Sequence, residues 1–331
     1  MSGMDASLLL VIFVIFVALV FDFINGFHDA ANAIATVVAT RVLSPFVAVL
    51  WSAAFNVLAV FVIGTGVAKM VGKGLIDLHF VTVPVILAGL LGAITWNLLT
   101  WWWKIPSSSS HTLIGGYAGA AMANAALTEG IGKTFAALIP SGWILTLAFI
   151  FIAPITGLLL AYVMMILTSW LFHRVEGPKA ERWFRRAQLV SSAFMSLSHG
   201  GNDAQKTAGI ITGVLVSAGA LRSFEVPHWV LWSAYLSMGL CTLAGGWRIV
   251  KTMSRRITHL RPQGGFCAET AAALSILLAT QLKLPISTTH VITGAITGVG
   301  VVAEADNNTP VGARNRPGIH NKWAGSNSLA G

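Results

Sequence analysis

Charged residues are scarce in this chain of 331 residues: Asp, Glu, Lys and Arg make up 10% of it, whereas soluble domains carry about 25%. Only two cysteines occur, Cys241 and Cys267, and both lie in or beside apolar segments, so the sequence does not indicate a disulfide framework. The first apolar run has no A-x-A cleavage site up to Ile24 and continues past that residue. We therefore interpret it as the first span and not as a removed signal peptide.

Acidic residues are few as well, with 12 Asp and Glu against 21 Lys and Arg, and the formal net charge is +9. The basic residues cluster in two loops between apolar runs, which is typical of cytoplasmic loops. The positive charge is thus explained by membrane topology, and no nucleic-acid partner is predicted.

Apolar residues are what the chain has in excess, since 55% of it is hydrophobic. Several apolar runs exceed the roughly 20 residues that a helix needs to cross a bilayer. The sequence therefore predicts an all-α polytopic membrane protein with the lipid bilayer as its surroundings.

An acidic motif interrupts the first apolar run at residues 25–32, which read Asn-Gly-Phe-His-Asp-Ala-Ala-Asn. Its Asp29 would lie at membrane depth, where an ion is costly and usually functional. A similar motif follows at residues 199–204, and its Asp203 stands 174 residues after Asp29. Two buried aspartates, each beside glycine and asparagine, suggest one site made from two copies of a unit.

A second motif, rich in hydroxyl groups, also occurs twice. Residues 106–111 read Pro-Ser-Ser-Ser-Ser-His, and residues 285–290, placed 179 positions later, read Pro-Ile-Ser-Thr-Thr-His. Two motifs that recur in the same order and nearly in phase indicate duplication. The basic loops around Arg174 and Arg248 both belong inside, and their spacing favours inverted repeats, which place a site near the bilayer midplane in secondary transporters.

The chain is divided into a first transmembrane repeat (1–172), a basic cytoplasmic loop (173–187), a second transmembrane repeat (188–303) and a polar C-terminal tail (304–331). Each repeat is expected to hold a broken helix and a re-entrant Ser-rich hairpin. We expect the breaks at residues 25–26 and 200–201, because about thirty apolar residues in one helix, near 48 Å, are too long for one straight span. Residues 43–67 are expected to form the second span, followed by a loop at 69–80. The last span is expected to be missing, since the second repeat has no counterpart of the span at 143–170.

The hydroxyl motifs suit an anion. Pro106 and Pro285 fit the first turn of a helix, where a missing N–H is harmless. Free N–H groups and the positive end of the helix dipole would follow, together with the hydroxyl groups. Two such helix ends from inverted halves could face one tetrahedral oxyanion.

The acidic motifs suit a cation or a carried proton, because Asp29, Asn32, Asn202 and Asp203 supply oxygen ligands. A carboxylate could also accept a hydrogen bond from a protonated phosphate oxygen. Sulfate carries no such proton at neutral pH, so this hypothesis favours phosphate, with a permease for sulfate or another tetrahedral oxyanion as the alternative.

Structural interpretations of the same residues stay open. Ser and Thr in membrane helices often bond back to the preceding turn. His111 and His290 could simply pin the hairpins, and the two aspartates could be partners of helix ends. Lys206 could neutralise Asp203 or interact with the anion.

These motifs resemble the inorganic phosphate transporter (PiT) family, in its bacterial low-affinity permease branch. Residues 26–32 match the family signature, residues 200–206 match its second copy, and residues 106–111 and 285–290 match its Pro-x-Ser-x-[Ser/Thr]-His hairpins. Further matches run from Gly245 to Glu269. The resemblance covers residues from about 22 to 302, with four motifs in order.

The resemblance implies a symporter that imports inorganic phosphate across the inner (plasma) membrane by alternating access, with no catalytic residue and no covalent cofactor. Phosphate would be held by Ser108, Ser109, Ser110, Thr112, Ser287, Thr288 and Thr289. The coupling cation or proton would be held by His28, Asp29, Asn32, Asn202 and Asp203, and without His28 this set would be the ligands of Na⁺. The candidates for transport coupling are Glu269, Lys206, His111 and His290.

Three departures from the family pattern bear on the coupling ion. His28 stands where sodium-coupled members usually have Asn, and Lys206 stands where the first copy has Asn32. Lys69 aligns with a glutamate of some members. These substitutions weaken a sodium assignment and favour H⁺ coupling, or uptake of phosphate as a complex with Mg²⁺ or another divalent metal. A homodimer is left open.

Two other classes of protein would use the same residues differently. An intramembrane hydrolase could use Ser110 with His111, or Thr289 with His290, but no Gly-x-Ser-x-Gly or His-Glu-x-x-His motif occurs. Adjacent Ser and His on one helix also point in different directions. A phosphate sensor would bind the ligand without accumulating it.

Overall fold

A computed structural model describes residues 3–105, 107–244 and 260–307. In these ranges the chain forms helices and no β-strand, apart from one isolated antiparallel bridge between Ile76 and Leu138. The all-α prediction is confirmed. The ten α-helices of these ranges are α1 (Gly3–Ala39), α2 (Pro45–Leu58), α3 (Gly66–Lys69), α4 (Val83–Trp102), α5 (Ser109–Glu129), α6 (Pro140–Leu171), α7 (Gly177–Ser217), α8 (His228–Ala244), α9 (Pro262–Gln281) and α10 (Thr288–Asn307).

Three helical segments of the described chain are long and apolar enough to cross a membrane, namely Ser7–Ala39, Val83–Trp102 and Pro140–Leu171. A fourth candidate is bent by 79° between Pro45–Phe61 and Gly66–Gly74. The second span predicted at 43–67 is thus broken, and the expected loop at 69–80 begins as the end of α3 and a π-helical turn, Met70–Gly74.

The breaks predicted at residues 25–26 and 200–201 are wrong, because α1 and α7 run through both positions without interruption. The glycines serve close helix packing. A Cβ added at Gly26 would lie 1.8 Å from Sγ of Cys241, and one at Gly200 would lie 2.7 Å from Cα of Asn56. Small residues let membrane helices approach closely, and here the neighbouring helices occupy the space that a side chain would need.

The basic segment at 173–187 is mostly helical and not a loop, since α7 begins at Gly177. Pro178 fits there because the first turn of a helix needs no N–H donor at that position. Arg185 donates from Nη2 to the carbonyl of Arg41, at a distance of 2.7 Å, so the end of α1 and the start of α7 share one basic end of the molecule. Residues 245–259, which include most of the second predicted basic loop, lie outside the described residues. Most of the predicted polar tail, residues 308–331, lies outside them as well.

Two helical hairpins, α4–α5 and α9–α10, carry the hydroxyl motifs between their helices. Lys104 and Lys283, which stand 179 residues apart, turn the chain with φ values of 61° and 64°. Left-handed backbone is uncommon outside glycine, so its occurrence at equivalent positions indicates equivalent turns. The inversion of the two halves stays a prediction.

The starts of the hairpin helices differ from the prediction. α5 and α10 begin at Ser109 and Thr288, after the expected prolines. The residue before each helix is a serine that caps it: Oγ of Ser108 accepts from the N–H of His111, and Oγ of Ser287 accepts from the N–H of His290, both at 3.2 Å. Pro285 precedes the cap, and Pro106 lies outside the described residues.

Buried apolar side chains form two clusters, and the polar motifs lie between them along the chain. α1 contributes residues 14–21 to the first cluster and 31–37 to the second. α7 contributes 204–214 to the first and Met195 to the second. The polar stretches 22–32 of α1 and 196–203 of α7 are therefore held in the middle of the protein.

Candidate functional site

The two hairpin ends meet each other beside α1. The rings of His111 and His290 lie with their centroids 5.1 Å apart. Oγ1 of Thr289 lies 3.2 Å from both Oδ1 of Asp29 and the carbonyl oxygen of Ser107. Nδ2 of Asn32 donates to that same hydroxyl at 2.9 Å. The hydroxyl has one proton, so it donates to one of its two acceptors at a time.

His28 and Asp29 form a pair suited to a proton. Nε2 of His28 lies 3.3 Å from Oγ1 of Thr100, whose own proton goes to a main-chain carbonyl such as that of Trp96, at 3.0 Å. A neutral imidazole carries one proton, so the ring donates to Thr100 when the proton is on Nε2 and to Asp29 when it is on Nδ1. Nδ1 of His28 faces Oδ1 of Asp29 at 3.4 Å, and both side chains are buried. An attractive contact there requires a proton on one of the two groups.

Asp203 on α7 is compensated in a different way. Nζ of Lys206 lies 2.5 Å from Oδ1 of Asp203 and 2.8 Å from the carbonyl oxygen of Ile286, and it also contacts Oγ of Ser110. Oδ2 of Asp203 lies 3.4 Å from Oγ1 of Thr288. Lys206 thus ties α7 to both hairpins, which explains how a lysine is buried with only 2% of its surface exposed.

The two copies make crossed contacts. Asn32 and Lys206 each stand three residues after their aspartate, and Thr289 and Ser110 are equivalent hairpin residues, 179 positions apart. Asn32 of the first half bonds to Thr289 of the second, and Lys206 of the second half bonds to Ser110 of the first. Each acidic helix therefore contacts the hairpin of the other half.

The hydroxyl groups expected at the anion have different surroundings. Oγ1 of Thr112 donates to the carbonyl of Ser108 at 2.8 Å, and the Ser108 and Ser287 hydroxyls act as caps. Ser109 is fully buried, and its Oγ has no hydrogen-bond partner in the part of the chain that the structure describes. Buried polar groups are normally bonded, so Ser109 is the hydroxyl best placed to serve a ligand.

Asn202 acts at the second hairpin. Its Nδ2 donates to Oγ1 of Thr280 at 2.8 Å and to the carbonyl of Leu284 at 3.2 Å, and its Oδ1 lies 3.4 Å from the N–H of Ile286. The amide thus holds the chain between α9 and α10 in place.

Glu269 lies in a separate buried cluster toward the basic end. Its carboxylate accepts from Thr36 at 2.6 Å, from Gln188 at 2.9 Å and from Ser191 at 2.5 Å, so it joins α9 to α1 and α7. Thr40 extends the cluster with a bond of 2.9 Å to Gln188.

Sequence reasoning missed several of these polar residues, although a signal was present. Six buried polar residues recur on α1 at intervals of three or four, and therefore line one face of the helix. They are Asp22, Asn25, Asp29, Asn32, Thr36 and Thr40. Asp22 reaches α7 as well, because Thr207 donates to its Oδ1 at 2.7 Å.

Two cavities flank the hairpins. The first, of about 580 Å³, is lined by Gly92, Trp96, Ser107, Ser108, His111, Thr112, Gly115, Gly116 and His290. The second, of about 600 Å³, is lined by residues of 63–74 and 280–283, including Lys69, Lys73 and Lys283. None of these three lysines forms an ion pair with a carboxylate in the described ranges.

The lysine-lined cavity lies away from the basic end. The N–H of Val67 donates to Oε1 of Gln205 at 3.0 Å, so α3 lies beside the part of α7 that follows Asp203. Thr280, another lining residue, accepts the hydrogen bond from Asn202. One lining residue of the cavity is thus in contact with the residue that precedes Asp203. Among the described residues, no three His, Cys, Asp or Glu side chains form a group that could hold a metal ion.

Comparison with known proteins places these features in one family. Residues 25–322 match the phosphate transporter family. The chain is 50% identical over 301 residues to a "Probable low-affinity inorganic phosphate transporter" of Rhizobium meliloti (strain 1021), covering 90% of this chain and 87% of that protein. A protein of the same description from Bacillus subtilis (strain 168) is 43% identical over 300 residues, again covering 90% and 87%.

A solved structure described as "The sodium-dependent phosphate transporter" shares the fold, with a TM-score of 0.80 and 23% identity, covering 92% of this chain and 93% of that chain. At that level of identity the likeness concerns the arrangement of the helices alone. These relatives are transporters, which sets aside the hydrolase alternative.

Proposed function

Since the chain belongs to the phosphate transporter family, we propose that it imports inorganic phosphate through the inner (plasma) membrane by symport with H⁺. The observation that carries the proposal is the meeting of two hydroxyl-bearing helix starts, those of α5 and α10, beside the buried carboxylates of Asp29 and Asp203. Helix N-termini and hydroxyls bind an oxyanion, and carboxylates next to them hold the accompanying positive charge.

Phosphate would bind at the start of α5, where Ser109 offers a buried hydroxyl that has no partner among the described residues. Ser110, Thr288 and Thr289 lie next to it in the hairpins, and each already contacts Lys206, Asp203 or Asp29. The bound anion would therefore compete for hydroxyl groups that otherwise satisfy the acidic helices. Such competition supports coupling between substrate binding and the state of the carboxylates.

Proton coupling is supported by the contacts of His28. Its ring lies between Thr100 and Asp29, and a proton held between Nδ1 of His28 and Oδ1 of Asp29 would make their contact of 3.4 Å attractive. A proton held there would reduce the negative charge beside the incoming anion and lower the electrostatic cost of phosphate entry. Its release on the cytoplasmic side would restore Asp29 to its charged form.

The lysine-lined cavity supports a route of entry. The basic end belongs on the cytoplasmic side by the distribution of Arg and Lys, so the cavity with Lys69, Lys73 and Lys283 would face the outside. A cleft lined by charge of one sign raises the local concentration of a ligand of the opposite sign. Phosphate would be drawn toward Thr280 and, beyond it, toward Asn202.

Uptake by purified protein in proteoliposomes tests this function. Labelled phosphate should accumulate when an inward proton gradient is imposed alone, and a sodium gradient alone should have little effect. Adding and omitting Mg²⁺ distinguishes free phosphate from a metal–phosphate complex. Accumulation that follows only the sodium gradient would refute proton coupling, and equal competition by sulfate would point to a general permease for tetrahedral oxyanions.

A further inference from the structure

We infer that the ammonium group of Lys206 occupies an oxygen-lined cation position at Asp203, and that a neutral amide in its place opens this position to Na⁺. The inference deepens the proposed function, because it states which half of the site is closed to a free alkali cation. It concerns a position that the chain fills with its own side chain.

The contacts of Nζ are those of a bound cation. The group lies 2.5 Å from a carboxylate oxygen of Asp203 and 2.8 Å from the main-chain oxygen of Ile286, with the hydroxyl of Ser110 as its third neighbour. A carboxylate, a carbonyl and a hydroxyl are the kinds of oxygen ligand that hard cations take. An ammonium group has three N–H donors, and these three oxygens use all of them.

The half of the site around Asp29 has corresponding residues but no ammonium group from the described residues. Asn32, the counterpart of Lys206, donates to the hydroxyls of Thr289 and Thr288 at 2.9 and 3.3 Å. Within the described ranges no lysine or arginine pairs with Asp29, whose contact with Nδ1 of His28 corresponds to that of Asp203 with Nδ1 of His199. The two halves thus differ by one fixed positive charge, although their acidic residues and hydroxyls correspond.

Burial makes this difference consequential. Asp203 is fully buried, and only 2% of the surface of Lys206 is exposed. Without Lys206, the remaining ion-pair contact of Asp203 in the described ranges is with Nδ1 of His199, at 3.3 Å from Oδ2. The carboxylate then needs a proton, on itself or on His199, or a free cation, since an unpaired ion is costly there. The three oxygen atoms that contact Nζ stay in place when Lys206 is replaced by a shorter residue, and they would bind an entering Na⁺.

Two other roles of Lys206 predict different outcomes. A lysine that only ties α7 to the hairpins would, when replaced, leave a less stable protein whose stability does not respond to Na⁺ in particular. A lysine that binds phosphate directly would, when replaced, weaken phosphate binding in every salt. The response to Na⁺ relative to an organic cation therefore separates the three roles.

The experiment compares wild type with Lys206→Asn and with the double variant Lys206→Asn/Asp203→Asn. Thermal unfolding of each purified full chain is followed in NaCl and in choline chloride at equal ionic strength. We expect Na⁺ to raise the Tm of Lys206→Asn by about 2 °C or more over choline, in a saturable way, because a ligand that binds only the folded state stabilises it. Wild type and the double variant should lack this additional response.

Uptake supplies the second readout. In proteoliposomes an inward Na⁺ gradient should stimulate phosphate uptake by Lys206→Asn about fivefold or more over choline, a coupling within the usual range. A Lys206→Asn protein whose Tm and uptake respond to Na⁺ no more than those of wild type would overturn the inference. Failure of wild type to take up phosphate under any gradient would instead contradict the proposed function, while the Tm comparison would still test the role of Lys206.

A further measurement covers the case in which Lys206→Asn does not fold. In a protein that keeps Lys206, the position at Asp203 is already filled, so Asp203→Asn should leave any response of the Tm to Na⁺ as it is in wild type. If Asp203→Asn abolishes a response that wild type shows, Asp203 binds Na⁺ beside the lysine and the inference is wrong.

Discussion

Asn32 on α1 donates a hydrogen bond of 2.9 Å to the hydroxyl of Thr289 at the start of α10, although 257 residues separate the two in the sequence. The equivalent contact of the other half, from Lys206 to Ser110, spans 96 residues in the opposite order. Each hairpin start is thus satisfied by the acidic helix of the other half. A ligand that takes these hydroxyls would loosen both contacts, which links its binding to the relative position of the halves.

The His28–Asp29 pair predicts how uptake responds to protons. Wild-type uptake should increase when the outside is more acidic than the inside. His28→Asn should retain phosphate uptake but lose most of the stimulation by the pH gradient, because the imidazole that faces the carboxylate of Asp29 is gone. Initial rates in proteoliposomes under imposed pH gradients measure the effect.

Asp29→Asn serves as the companion of His28→Asn and should abolish uptake while the protein still reaches the membrane. Asp77→Asn is the matched control, since Asp77 is exposed and its side chain accepts from the N–H of His79 at 2.9 Å. Normal uptake by Asp29→Asn would remove Asp29 from the site.

Ser109 predicts a loss of phosphate affinity. Ser109→Ala should raise the KM for phosphate about ten- to a hundredfold, since a lost hydrogen bond to a charged ligand costs about 1.5–3 kcal/mol. The thermal stability should change little, because the hydroxyl has no partner within the described protein. Ser141→Ala, at an exposed position near the start of α6, is the control, and an unchanged KM in Ser109→Ala would place phosphate elsewhere.

Glu269 predicts an effect on turnover. The carboxylate of Glu269 accepts three hydrogen bonds, and in Glu269→Gln an NH₂ donor takes the place of one of its oxygens. Because this donor would face another donor, the contacts among α1, α7 and α9 should weaken by about 3 kcal/mol. Uptake assays should show a maximal rate reduced about tenfold or more and a KM for phosphate near that of wild type. Glu181→Gln, on the exposed part of α7, should be silent. A change confined to KM would instead put Glu269 at the ligand.

The lysine-lined cavity predicts a dependence on salt. The triple variant with Lys69, Lys73 and Lys283 changed to Gln should raise the KM for phosphate several-fold at low ionic strength, and the difference from wild type should shrink as salt is added. Lys133→Gln, an exposed lysine outside the cavity, is the control. Equal KM values for wild type and the triple variant at low salt would argue against this route of entry.

The glycine at the α1–α8 contact predicts a loss of stability. Gly26→Ala should destabilise the protein by about 1–3 kcal/mol, because the new Cβ would lie 1.8 Å from Sγ of Cys241. Gly119→Ala, where no atom lies within 4 Å of the added Cβ, should be neutral or slightly stabilising in its helix. Thermal unfolding of the two variants makes the comparison, and equal Tm values would mean that α8 can move aside.

Much of the site could be predicted because its residue types are conspicuous in an apolar chain. Asp29, Asp203 and the two hydroxyl motifs are identified by their cost in a membrane and by their repetition. The role of each hydroxyl could not be predicted. Ser108 and Ser287 cap helices, whereas the similar residue Ser109 has no hydrogen-bond partner in the ranges that the structure describes. Which hydroxyl is free depends on where each helix begins, and a shift of one or two residues reverses the outcome.

The sequence by itself determined the helical class, the apolar segments and the recurrence of two polar motifs, since hydropathy and spacing are local properties of the chain. Only the tertiary structure decided that α1 and α7 stay unbroken and that each acidic helix bonds to the hairpin of the other half. A glycine in a membrane helix permits either a break or a close neighbour. Cys241 and Asn56 lie against Gly26 and Gly200, and it is these distant residues that select the close neighbour.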